Sequence, residues 1–262
     1  MNLLSSTSVF GFYTLLSRVL GYIRDILIAI FLGTGVLADA FFVAFRLPNT
    51  FRRLFAEGTF NAAFIPSYSQ EKLMGENVGK KFADEVFSFL LFILIFLILI
   101  VEIFTPFLVY LIAPGFYDDP EKFDLAIEFT RITFPFLLFV SLSSLLSGIL
   151  NTNNKFAAAA AAPIVLNVVL ILSMLLSFYF NQNFAKNLSI GVTLAGILQL
   201  IILIIFTKKF YFPSIKFFFK ISESLKIFFK KLLPSIFSSG ITQINILIGT
   251  IIASFQSGAV SY

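Results

Sequence analysis

"VFSFLLFILIFLILIVEIFTPFLVYLIAPGFY", residues 86–117, holds a single charged side chain, Glu102. The hydrocarbon core of a bilayer is about 30 Å thick and is crossed by roughly 20 apolar residues in a helix, so this run is long enough to span it. Residues 132–154, 156–185, 187–207 and 232–262 hold no charge at all. Transmembrane strands would be short and would alternate between apolar and polar residues; these runs do neither. The composition agrees, with 58% hydrophobic and 13% charged residues and a mean hydropathy of +0.96. The chain is therefore expected to be an all-α, polytopic helical membrane protein.

Working outward, seven spans are predicted, near residues 3–31, 36–67 (with Pro48 inside), 86–113, 129–150, 157–180, 188–206 and 229–255. The N-terminus lacks a basic stretch and the first apolar run passes straight into Arg18, so no cleavable signal peptide is expected. Cysteine and histidine are absent. That excludes disulfides, thiolate metal sites, cysteine nucleophiles and histidine acid–base chemistry. The net charge of +5 reflects membrane topology rather than nucleic acid, which is not an expected partner. With the N-terminus in the cytoplasm, the inside loops hold every lysine except Lys122 and Lys186, a clear positive-inside bias. An odd number of spans then leaves the C-terminus outside.

"KKFYFPSIKFFFKISESLKIFFKK", residues 208–231, is basic and rich in phenylalanine, with Lys216/Lys220 and Lys226/Lys230 four residues apart. It predicts an amphipathic helix on the cytoplasmic leaflet; a positive-inside loop between two halves is equally compatible. "LIAIFLGTGVL" (27–37) and "IIASFQSGAV" (251–260) share a pattern of apolar residues, Phe, a small-residue turn and Val. Transporters are often built from such repeats. A second repeat is thus expected to begin at the seventh span, and the chain to be the N-terminal part of a longer protein. The expected organisation is 1–207 for six transmembrane helices, 208–228 for a basic linker and 229–262 for the seventh helix.

The basic residues divide by type. The lysines fall in loops or at helix ends, whereas Arg18, Arg24, Arg46, Arg52, Arg53 and Arg131 fall within or at the ends of predicted spans. Lysine suits topology; the planar fork of arginine suits bidentate recognition of phosphate or carboxylate. Charge inside a membrane is costly and tends to face a wet cavity or a substrate. The competing reading is that the arginines snorkel or pair with Asp25, Asp39 and Glu57. On the second span Asp39, Arg46 and Arg53 recur every seven residues, with Asn49 and Glu57 on the same stripe, and Arg52 lies about 100° to the side. On the first span Arg18, Gly21 and Asp25 share a stripe flanked by Arg24. A short turn makes the two helices expected antiparallel neighbours with facing stripes. Pro48 frees the carbonyl of Ala44, and a kink lining a wet cavity is expected there. Arginines outnumber acids in these two spans, as a dianionic lipid-linked pyrophosphate would require and a cationic drug would not.

Five stretches then resemble one family. "SRVLGYIRD" (17–25), "DAFFVAFRLPNTFRRLFAEGTFNAAFIP" (39–66), "APGF" (113–116), "ITFPF" (132–136) and "GILNTNNKF" (148–156) are similar, in this order, to motifs of the MurJ/MviN lipid II flippase family, within the multidrug/oligosaccharidyl-lipid/polysaccharide exporter superfamily. The resemblance implies the six-helix N-lobe of a pseudosymmetric two-lobed transporter plus the first helix of the C-lobe. It implies movement of lipid II, an undecaprenyl-pyrophosphate-linked disaccharide-pentapeptide, from the inner to the outer leaflet of the bacterial cytoplasmic membrane for peptidoglycan synthesis. Arg18, Arg24, Arg52 and Asp39 match its substrate-binding cavity residues; Asp25 and Glu57, with Arg53 and Asn49, match its gating contacts. No cofactor or metal is expected, with transport driven by the membrane potential or an ion gradient, and the protein is expected to act as a monomer among membrane lipids. The nearest alternatives are a flippase for another polyprenyl-pyrophosphate-linked oligosaccharide and a drug/cation antiporter of the same superfamily. An intramembrane enzyme would need an acid–base cluster that the residues do not supply, so no enzyme is expected.

Overall fold

The computed structural model describes residues 3–56, 59–216, 221–256 and 258–260, without the side chains of 3–7, 9, 51, 53–56, 236–242 and 244. The described residues form α1 (Leu3–Leu32), α2 (Val36–Ala56), α3 (Thr59–Leu73), α4 (Glu76–Ile112), α5 (Pro120–Thr133), α6 (Phe136–Thr152), α7 (Phe156–Tyr179), α8 (Phe184–Thr207) and α9 (Glu223–Ser254), with one 3₁₀ turn at Pro114–Phe116. Helices satisfy every backbone polar group within the segment, which a bilayer demands. By length and apolar composition, four continuous stretches among the described residues can cross a membrane: Glu76–Ile112, Pro120–Thr152, Phe156–Tyr179 and Phe184–Thr207.

The stretch that decides the class forms most of α4. This helix is 37 residues long, about 55 Å at 1.5 Å per residue, so it outruns a bilayer. Its first turns carry Lys80, Lys81, Asp84 and Glu85. Phe104 departs from helical geometry (φ −99°, ψ 18°) two residues before Pro106, where the proline ring displaces the preceding turn. Phe92, Phe96, Leu99, Ile103 and Phe107 are exposed at three- and four-residue steps, an apolar stripe on the outside of the bundle. α6 is the opposite case. It is buried along most of its length and packs against α2, α3, α4, α7 and α8.

The structure redraws several expected boundaries. Over the second span the described residues form α2 and α3, and residues 57 and 58 between them lie outside the described residues. The fourth begins earlier and is divided at Phe134–Pro135 into α5 and α6. Residues 120–128, expected to lie between spans, instead begin α5: Asp119 caps its first turn by accepting from the Lys122 backbone N–H, with Pro120 behind it. α2 runs through Pro48 without interruption. The carbonyl of Ala44, freed by that proline, accepts a hydrogen bond from Thr133 Oγ1 of α5 at 3.0 Å, so it is met by protein and not by a cavity.

The basic segment also differs from expectation. Residues 211–216 form no helix, residues 217–220 lie outside the described residues, and the helix begins at Glu223 with Ser222 as its cap. Asp84 of α4 holds the non-helical part. Its carboxylate accepts from Tyr211 Oη at 2.9 Å, from the Ser214 N–H at 3.2 Å and from Lys216 Nζ at 3.1 Å. Glu85 accepts from Ser222 Oγ. Burial, and then the neighbouring Asp84 carboxylate, push the Tyr211 phenol far above its ordinary range, so it remains a donor. α9 is seated by Phe228, whose ring meets Phe60, Phe64 and Phe82 edge-on. The turns after α1 and α9, similar in sequence, lie side by side. Gly33 and Gly258 both have positive φ (64° and 78°), and a Cβ added to Gly258 would touch Thr34 at 4.0 Å.

Candidate functional site: an arginine-lined cleft

Contrary to the expected antiparallel pairing, α1 does not pack along α2. It lies along α7 and touches α8, while α2 packs on α5 and α6. The two arginine-bearing helices therefore stand on different walls, and a cavity of about 740 Å³ opens between them. Arg18 and Arg52 line it, together with Ser17, Asn61, Ser143, Asn151 and Gln199 among others. A smaller adjoining cavity of about 160 Å³ shares Ser17, Arg52, Val140, Pro163 and Gln199 with the first and adds Arg24 and Asn167. Among the described residues lining the two cavities there is no carboxylate.

Each guanidinium has a defined setting. Arg24 donates from Nε (3.0 Å) and Nη2 (2.7 Å) to Asp25 Oδ1, and from Nη1 to Asn167 Oδ1 at 2.8 Å. Asn167 turns its Nδ2 back onto the Ser17 carbonyl at 2.8 Å, so α7 fixes both the side chain and the backbone of α1 at this level. Arg52 donates to Asn49 Oδ1 at 3.0 Å, one helical turn earlier. Arg18 is exposed within the wider cavity.

The cavity thus gathers Arg18, Arg24 and Arg52, with Asp25 and Asn49 as their immediate partners. It does not gather Asp39. That carboxylate is fully buried at the start of α2, paired with Lys122 Nζ of α5 at 2.6 Å and accepting from the Gly258 N–H at 2.8 Å. The expectation that it faces the cavity is corrected. The seven-residue stripe of Asp39 and Arg46 is not the cavity face of α2; Arg52, set to the side of that stripe, is. Helical spacing groups residues on a face but does not say which neighbour the face meets. Glu57 lies outside the described residues, as does the side chain of Arg53. Arg46 and Arg131 line neither cavity.

Asn167 and Gln199 were not singled out in the sequence. The signal was present: each is the lone amide of its expected apolar span, and a polar side chain there needs a reason. Lys122 was read only as a loop lysine.

Together the fold and the cleft define a multi-helix membrane protein with an arginine-lined cavity. The same fold recurs, at 17% identity and a TM-score of 0.66 over 92% of this chain and 54% of the other, in an outward-facing multidrug resistance MATE family transporter of the MOP superfamily. A solved structure described as lipid II flippase MurJ in an inward closed conformation aligns with a TM-score of 0.81 at 30% identity, covering 97% of this chain and 52% of that one. The "Probable lipid II flippase MurJ" of Rhizobium tropici is 41% identical over the whole chain and 50% of its own length. The family profile described as "Lipid II flippase MurJ" matches residues 28–262. The chain belongs to this family, and it spans about half the length of the curated relatives it matches.

Proposed function

We propose that the chain forms the N-lobe of a flippase that moves lipid II from the inner to the outer leaflet of the bacterial cytoplasmic membrane, supplying peptidoglycan synthesis. One observation carries this reading. Arg18, Arg24 and Arg52 converge from helices on opposite walls onto a cleft whose described lining holds no carboxylate. Forked donors at membrane depth suit a pyrophosphate. A drug/cation antiporter would need the opposite polarity. The protein works without a cofactor or catalysis, as a monomer, with the membrane potential or an ion gradient as the driving force. The test is a chimera in which residues 1–262 replace the matching half of the Rhizobium tropici relative. In cells depleted of their own flippase it is expected to restore lipid II translocation and growth; a well-expressed chimera that restores neither refutes the reading.

The same proposal places the N-terminus in the cytoplasm. The ends of the bundle support it. Asp84 and Lys216 meet at the lysine-rich end, and Asp39, Lys122 and the turn after α9 meet at the other. Single cysteines at Asn77 and Lys155, both exposed, are expected to react with an impermeant maleimide only in inverted vesicles, and one at Asp118 only in intact cells. The reverse pattern would invert the topology.

A further inference from the structure

The cleft has a second polar surface that the arginines do not use. Asn61 of α3, Ser143 and Asn151 of α6 and Gln199 of α8 all line the wider cavity. In each of them one oxygen (Asn61 Oδ1, Ser143 Oγ, Asn151 Oδ1, Gln199 Oε1) is shut off from solvent and has no hydrogen-bond partner among the described residues. Ser143 and Gln199 are only 3% and 6% exposed. Buried polar atoms are nearly always paired, because leaving one unmet costs stability. Four such atoms on one wall, drawn from three helices, are not the by-product of a single local constraint. The backbone makes room for them: α6 carries Gly148 opposite Asn61, where a Cβ would lie 2.6 Å from Asn61 Oδ1.

The chemistry of this wall is complementary to that of the arginines. Guanidinium groups only donate, and they suit phosphate oxygens. Amide and hydroxyl oxygens accept, and they suit O–H and N–H groups. The terminal torsions of Asn and Gln are broad, so small rotations bring these oxygens from behind the wall to its surface. The volume of about 740 Å³ falls within the usual range of ligand pockets. We propose that Asn61, Ser143, Asn151 and Gln199 form a glycan subsite, which takes the hydroxyl and acetamido N–H donors of the sugar joined to the pyrophosphate. The inference rests on the flippase reading and adds a division of labour to it: arginines hold the diphosphate, and the acceptor wall selects the sugar.

The orphan oxygens give the proposal a signature that a purely structural role lacks. Replacing an unmet buried oxygen with an apolar group of similar shape is neutral or stabilising to the empty protein, while it removes a partner from the loaded one. The experiment uses the chain in phosphatidylcholine nanodiscs, with two fluorescent probes of equal prenyl length: a short-chain lipid II and the prenyl pyrophosphate without sugar. In Ser143→Ala and Gln199→Met, affinity for the sugar-bearing probe is expected to fall about threefold to tenfold per lost bond. Affinity for the prenyl pyrophosphate should be unchanged, and the unfolding temperature of the empty protein unchanged or higher. Arg52→Ala should weaken both probes. Equal loss on both probes, no loss on either, or a lowered unfolding temperature in the two wall variants overturns the glycan subsite and leaves the flippase reading standing. Wild-type chain that binds neither probe overturns both.

Discussion

Arg24→Lys in the chimera is expected to slow lipid II translocation roughly ten- to a hundredfold, and Arg24→Ala to abolish growth support. Arg24 is held from two sides, by Asp25 through Nε and Nη2 and by Asn167 through Nη1. Lysine keeps the charge but offers one rotating ammonium in place of a planar fork. It cannot satisfy both partners and still present a second donor to a phosphate. A hydrogen bond to a charged group is worth about 1.5–3 kcal/mol, and loss of one accounts for the expected factor. Lysine at Arg18 and Arg52 should act in the same direction. Arg131 is exposed and lines neither cavity, so Arg131→Lys should behave as wild type. The measurement is translocation at matched expression. Wild-type rates for the lysine variants at all three cleft positions would reduce the site to a generic positive cavity.

Lys122→Met should destabilise the protein by about 3–5 kcal/mol, the usual penalty for stranding one partner of a buried ion pair. The Lys122 and Asp39 side chains are 5% and 0% exposed, and Lys122 Nζ also sits 4.3 Å from the Phe116 ring centroid. Methionine fills much of the volume but takes the ammonium group away from the Asp39 carboxylate. The double variant Asp39→Asn/Lys122→Met removes both charges and should recover most of the loss. Unfolding monitored in detergent gives both values. A single variant as stable as wild type would show that the carboxylate finds its compensation elsewhere.

The class of this fold could be read from residues 86–117 and their companions, because uncharged runs of that length have few other uses. The partition of basic residues was less so. Arginine marked the cleft only in part, since Arg46 and Arg131 line neither cavity and Lys122 is buried in α5; family motifs separated Arg18, Arg24 and Arg52 from the rest. What sequence did not show was which faces meet. A tight turn after α1 suggests two neighbouring helices, yet α1 packs on α7 because Asn167 reaches Arg24 and Ser17 from 143 and 150 residues away. Asp39 looked like a cavity acid because its partner Lys122 is 83 residues distant. The division at Phe134–Pro135 carried a local signal in the proline, but continuous apolar composition around it masked the boundary.

The clasp on α4 has a consequence in time. Asp84 precedes Tyr211 by 127 residues and Lys216 by 132, so α4 enters the membrane well before its partners exist. At about 5–20 residues per second, the ribosome needs roughly 6–25 s to supply them. For that interval Asp84 and Glu85 must remain hydrated at a membrane surface, which keeps the first turns of α4 out of the bilayer. When Tyr211, Ser214, Lys216 and Ser222 emerge, they take up these carboxylates and draw the start of α9 against α3 and α4. Synthesis order thus sets assembly order: the bundle behind α4 is complete before the helix that closes it is delivered.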